Sequence, residues 1–307
     1  MVAISQMTIL FIIMLVGYIS YKKDILNASV NKKISGIVLY IANPAMILSS
    51  VMGDNSMVKG KSLAIMVLVT ITTYAVLICI SFVIPKIFMV EKKCFNTYSI
   101  MIVFSNISFM GMPIVKSMVG ENGLLYAAIY VIPFNVLIYT YGVAMLRTDS
   151  SKDKNKGSIL KSIINIGTIA SVLAILIFIA DVSMPYVIKE SCTMLGNLTA
   201  PLSMMVIGAS FAMIDLKKLF ADVRLVLFFL FKQFIIPIIG ITILRLVVND
   251  EIIIDVMFVM LATPVASMVA MLTQEYEGDF MLATRGVALS TIISVISIPI
   301  ISVIMKI

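Results

Sequence analysis

The sequence predicts an all-α membrane protein: ten transmembrane helices in two inverted five-helix repeats, with the fourth and ninth helices broken at proline and crossing. Composition predicts the membrane. Of 307 residues, 61% are apolar and 13% charged, with a mean hydropathy of +1.12, against roughly half apolar and a quarter charged in soluble domains. The count comes from apolar runs separated by polar punctuation, each long enough to cross about 30 Å at 1.5 Å per residue. The repeat comes from the prolines. Pro44 and Pro201 are 157 apart, Pro85 and Pro237 are 152 apart, and Pro113 and Pro264 are 151 apart.

In order, the first five spans are Ile4–Tyr21, Ile34–Met52, Leu63–Pro85, Phe95–Met118 and Leu124–Leu146. The second five are Ile159–Ile179, Val187–Met213, Val223–Val248, Ile252–Thr273 and Met281–Met305. The first span lacks the basic flank and small-residue cleavage pattern of a signal peptide and is expected to stay as a helix. Residues 1–147 then form one repeat, residues 148–157 a short cytoplasmic linker, and residues 158–307 the second repeat. Five is odd, so the second repeat is inverted relative to the first. Inverted repeats characterise many secondary transporters, whose substrates bind near the midplane where helices are discontinuous.

Basic residues orient the chain. Lys22, Lys23, Lys86, Lys92, Lys93, Arg224, Arg285 and nine others fall on one set of loops, 16 in all, against 6 on the opposite set. Positive residues collect on the cytoplasmic side, which puts both termini outside the cytoplasm. That explains the formal net charge of +7 without a nucleic-acid partner. The lipid bilayer is the expected partner instead.

Histidine and tryptophan are both absent, so imidazole bases and imidazole metal ligands are unavailable. No HExxH, no paired midplane aspartates and no serine beside a lysine base suggest an intramembrane enzyme, and no cofactor or metal site is expected. Cys79, Cys94 and Cys192 lack CxxC spacing and are read as packing residues. A receptor would carry a soluble signalling domain, and the longest internal polar stretch, Thr148 to Gly157, is about ten residues.

Pro113 and Pro264 lie in the fourth span of each half, and proline removes a backbone donor and clashes one turn back. Unwound backbone at bilayer depth persists only where protein or a wet cavity satisfies it. Half-helix N-termini at such a crossing present free N–H groups suited to a carboxylate. An ordinary proline kink is the alternative. Candidate site residues are Asn43, Asn106, Gly111, Pro113, Asn135, Thr263, Pro264, Ser267 and Lys232. Lys232 sits eight residues after Arg224, about 12 Å along its helix. A lysine that deep costs about 2.5–3.5 kcal/mol on insertion scales, so it either serves an organic anion or snorkels to the interface. Asp181, Asp215, Asp222, Asp250, Glu251, Asp255, Glu275, Glu277 and Asp279 fall at span ends or in loops. That census favours anion uniport over sodium- or proton-coupled transport, which needs ionisable oxygens at the crossing.

The segment Asn106 to Gly120, NISFMGMPIVKSMVG, resembles the fourth-helix pattern of the auxin efflux carrier family, which includes bacterial permeases for malate or auxin and the plant PIN auxin exporters. Other matches are Asn43-Pro44-Ala45, Phe134-Asn135-Val136, Pro201-Leu202 with Gly208, Ala262-Thr263-Pro264, Glu275-Tyr276, and Ser290-Thr291 with Pro299. The resemblance spans nearly the whole chain. It implies an architecture similar to sodium/proton antiporters and bile-acid transporters, with a scaffold of helices 1, 2, 6 and 7 and a transport unit of helices 3–5 and 8–10. It also implies an elevator-type movement, a small organic-anion substrate contacted by Asn106, a homodimer, and a plasma-membrane location, the inner membrane in a bacterium. The long hydrophilic loop of many plant exporters has no counterpart here, and Arg285 stands where a small apolar residue is expected.

Overall fold

The computed structural model describes residues 2–52, 60–146, 166–180, 184–213, 219–220, 222–276 and 278–307. The linker at residues 148–157 lies outside the described residues. Every regular element among those described is a helix, with one isolated antiparallel bridge and no strand.

Helix α1 is Val2–Lys22. The next helix, α2, runs Ala28–Ile37, widens into a π turn at Val38–Ala42 and continues as Asn43–Val51. Its start is set by Asn27, whose side chain accepts the Val30 N–H at 2.9 Å. Helix α3 spans Gly60–Ser81 with a short extension at Ile84–Ile87. Helix α4 is in two pieces: α4a is Lys92–Val103, and α4b is a π turn at Ile107–Gly111 running into Met112–Met118. Gly120, at φ +85°, makes the turn into α5, a conformation open to glycine and strained for residues with a Cβ. Helix α5 runs Glu121–Leu137 and continues through a π turn at Ile138–Gly142 into Val143–Leu146.

Helix α6 is described over Ile166–Ile179. Helix α7 breaks at Leu198 into α7a, Tyr186–Asn197, and α7b, Thr199–Ala212. Helix α8 is Val223–Leu230, a π turn at Phe231–Ile235, and Ile236–Val247. Helix α9 divides into α9a, Glu251–Ala262, and α9b, Ser267–Glu275. Helix α10 is Phe280–Met305. By length and composition, Lys61–Ile87, Glu121–Leu146, Tyr186–Ala212, Val223–Val247 and Phe280–Met305 can cross a membrane.

Three of the carboxylates at span ends are helix caps. Asp222 accepts the N–H of Leu225 at 3.1 Å, Asp250 that of Ile252 at 3.2 Å, and Asp279 that of Leu282 at 2.9 Å. Each satisfies a donor the first helical turn leaves unpaired.

Three π turns share one cause. They end at Ala42, Gly111 and Ile235, each two residues before a proline: Pro44, Pro113 and Pro237. The residue between, Asn43, Met112 or Ile236, donates its N–H to a carbonyl five residues back. A wider turn relieves the clash between the proline ring and the carbonyl one turn earlier.

The proline pairs are less alike than their spacing. Pro85 sits in the short helix ending α3, whereas Pro237 lies in the interior of α8. The fourth helix is not broken at Pro113. It opens at Phe104–Asn106, seven residues upstream, and Pro113 lies within α4b, where the π turn before it makes room for its ring. The ninth helix does break at its proline, since Pro264 forces Thr263 out of helical geometry, to φ −65° and ψ 149°.

Helices α1 and α7b pack along each other through two glycines. A Cβ on Gly17 would strike the Met205 backbone, and one on Gly208 the Met14 backbone. Helix α2 packs on α6 and α7a, where Gly196 lies on the Met46 backbone. Helices α3, α4a and α5 pack together, as do α8, α9 and α10.

Candidate functional site at the helix crossing

The two interrupted helices meet where both are extended. Ser105 and Val265 form an antiparallel bridge, the Asn106 N–H donates to the Pro264 carbonyl at 2.6 Å, and the Ala266 N–H donates to the Phe104 carbonyl at 3.0 Å. The two unwound backbones are thereby tied to each other. The Val265 N–H goes instead to Ser290 Oγ on α10 at 3.0 Å. Ser290 passes its own proton back to the Val287 carbonyl at 3.0 Å.

Lys232 reaches the crossing from the π turn of α8. Its Nζ donates to Ser105 Oγ at 3.2 Å and to the Thr263 carbonyl at 3.4 Å, and the residue is 2% exposed. The snorkelling alternative is therefore set aside: the stem carries the charge inward. Beside it, Gln233 Nε2 donates to the Ser290 carbonyl at 3.0 Å, while Gln233 Oε1 is buried without a partner. No carboxylate lies within ion-pair distance of Lys232 among the described residues; the salt bridges there are Lys93–Glu91 and Lys116–Glu121.

The four half-helix ends differ in how they are finished. Helices α4a and α9a end at the crossing, where Lys232 takes the Thr263 carbonyl of α9a and the Phe104 carbonyl of α4a accepts from Ala266. The N-terminus of α4b is capped by Asn106, whose Oδ1 accepts the Phe109 N–H at 3.4 Å, while its carbonyl accepts from Met110 and Gly111. The N-terminus of α9b has no side-chain cap. Ser267 is its first residue and is half-buried.

The crossing brings together Asn106, Thr263, Pro264 and Lys232, with Ser267 at the uncapped end. The Thr263 hydroxyl turns back to the Met260 carbonyl at 3.1 Å, so its carbonyl is the group that faces Lys232. Gly111 and Pro113 lie one and two turns farther along α4b, which packs on α9a. A Cβ on Gly111 would meet Met260 at 3.6 Å, an ordinary contact. Asn135 is buried one residue after Phe134, whose ring stands edge-on to Phe104 at 5.6 Å. Asn43 belongs elsewhere: its helix packs on α5, α6 and α7, and its Oδ1 is buried without a partner. Sequence reasoning missed Ser105, Gln233 and Ser290. Gln233, an amide beside Lys232 in an apolar run, carried a visible signal. Ser290 stood in a motif match without being taken as a site residue, and Ser105 carried no signal until its neighbours in space were known.

Beside the crossing, α4b and α10 face α1 and α7b across an apolar cleft lined by Leu10, Met14, Met110, Met204, Ile207 and Thr291. It encloses about 10 Å³, room for one water at most. A wider polar recess of about 350 Å³ opens where α4, α8 and α10 begin, lined by Glu91, Tyr98, Asp222, Arg224, Asp279 and Arg285. Arg285 thus faces polar groups and does not disturb packing. Cys94, expected to pack among apolar groups, lies in the same recess with Sγ 3.7 Å from Asp279 Oδ2.

Compared with known proteins, residues 2–302 match the family described as Membrane transport protein. An uncharacterized transporter of Methanocaldococcus jannaschii is 25% identical over 309 residues, covering 97% of this chain and 97% of that one.

Proposed function

Because the chain belongs to the membrane transport protein family, we propose that it is a secondary transporter that carries a small organic anion by an elevator-type movement. The family is one of transporters, not of enzymes, and the match bears out the resemblance to auxin efflux carriers. The observation that carries the proposal is the crossing itself: two interrupted helices paired through their backbones over a buried, carboxylate-free lysine.

In this reading the chain is ten transmembrane helices in two inverted repeats, lying in the plasma membrane with both termini outside the cytoplasm. Helices α1, α2, α6 and α7 form the scaffold, through which two copies pair, and the remainder forms the moving unit. The glycine-mediated packing of α1 on α7b supports that division, and the apolar cleft marks the sliding boundary. The substrate carboxylate takes the uncapped N–H groups at Ser267, where the helix end carries partial positive charge. Its apolar body lies among Met110, Met204 and Ile207 as the cleft widens. This arrangement suits an auxin-like aromatic carboxylate better than malate, whose second carboxylate would enter an apolar lining.

The test is charge movement in proteoliposomes on a solid-supported membrane, with aromatic monocarboxylates, aliphatic dicarboxylates, and sodium or proton steps. Current evoked by a carboxylate without a cation gradient is expected. Current on sodium or pH steps alone would replace this reading with a cation-coupled carrier of the same fold.

A further inference from the structure

Lys232 Nζ sits at the C-terminal ends of both interrupted helices. Thr263, whose carbonyl it reaches at 3.4 Å, is the C-cap of α9a. Ser105, whose hydroxyl it reaches at 3.2 Å, follows Phe104, the C-cap of α4a. Each helix C-terminus carries roughly half a negative charge, so the two together offset about one positive charge. The ammonium supplies it at 2% exposure with no carboxylate partner among the described residues.

Its ligands are a hydroxyl oxygen and a carbonyl oxygen, the donor set that hard metal cations take. A further oxygen at the crossing, Gln233 Oε1, is buried and accepts nothing; its own amide nitrogen is tied to Ser290, which holds the Val265 N–H. The crossing is therefore built like a monovalent-cation site that is filled by a side chain.

We propose that the Lys232 ammonium is a built-in counter-cation, standing where a co-transported alkali-metal ion would be held, so that removing it uncovers a binding site for one. The proposal rests on the transporter reading and explains why that carrier needs no cation gradient. Shortening the side chain to alanine removes the charge and vacates its volume, leaving Ser105 Oγ and the Thr263 carbonyl, the two oxygens that held the ammonium, to an entering ion.

The experiment is thermal unfolding of purified full-length protein in detergent, in sodium, lithium or choline chloride at one ionic strength. Wild-type protein is expected to melt alike in all three. Lys232→Ala is expected to melt lower in choline and to recover a few degrees, saturably, in sodium or lithium, as a ligand bound only by the folded state requires. Lys232→Met, which removes the charge and keeps the volume, is expected to be destabilised without recovery. Identical melting of Lys232→Ala in all three salts would overturn the proposal. So would equal recovery in Lys232→Met, or sodium-specific stabilisation of the wild type. If Lys232→Ala folds only when purified in sodium, the proposal stands; if it folds in neither salt, the proposal falls. The readout uses no substrate, so a failure of carboxylate transport would leave it untouched, and the reverse holds too.

Discussion

Ser290→Ala isolates one hydrogen bond at the crossing. Ser290 is fully buried, and its hydroxyl accepts the Val265 N–H at 3.0 Å. The neighbouring carbonyls of Phe104 and Pro264 already accept across the bridge, from Ala266 and Asn106, so neither is idle to take the Val265 N–H. Alanine differs from serine by one oxygen, which keeps packing almost unchanged and leaves a buried N–H unpaired. The expected loss is about 1–3 kcal/mol. At roughly 2 °C per kcal/mol for a chain of this size, the unfolding midpoint falls by about 2–6 °C. Thermal unfolding of the purified protein measures it, with Ser290→Thr as the control that retains the hydroxyl. A Ser290→Ala protein that melts with the wild type would refute the argument that α10 secures the unwound backbone of α9.

Asn106→Ala removes a 3.4 Å cap contact, so stability should drop by less than about 1 kcal/mol while carboxylate-evoked current disappears; wild-type current from this variant would remove Asn106 from the site. Gly208→Ala drives a methyl into the Met14 backbone, with an expected loss of about 1–3 kcal/mol visible as reduced yield of folded protein in size-exclusion chromatography. Gly111→Ala, whose Cβ meets only ordinary contacts, should be recovered at wild-type yield, and its failure would show that the π turn itself demands glycine. Arg285→Ala, at the polar recess, should change stability by less than about 0.5 kcal/mol. A loss of current as complete as that of Asn106→Ala would relocate the substrate to the recess.

Hydropathy made the helices legible because bilayer-length apolar runs have few competing explanations, and the proline at residue 264 marked the ninth-helix break because its ring acts on the residue before it. The fourth helix misled because a proline does not always break a helix. Pro113 lies within α4b, accommodated by the π turn before it, while the break falls at Phe104–Asn106, residues with no strong local veto on a helix. What opens it there is the partner backbone of α9, a contact some 160 residues away in sequence. Lys232 was legible as an anomaly, a charge too deep to ignore, but its partners were not. Both are backbone or hydroxyl oxygens, which a search for carboxylates passes over. Asn43 was singled out by its proline motif, and in space it belongs to the packing of α2. Its π turn, not the crossing, accounts for the motif.

The π turns before Pro44, Pro113 and Pro237 also bear on how such a chain tolerates change in length. Each holds one residue more than a regular turn would, so the faces of the helix before and after it are out of phase by about 100°. Deleting a single residue there would let the helix close into a regular spiral and rotate everything beyond it by that angle. In α8 such a deletion would turn either Lys232 or the Pro237 face away from α9 and α10. A one-residue gap at these three places is thus a change of orientation rather than of length. Deletions at the ends of the same helices would merely shorten a loop.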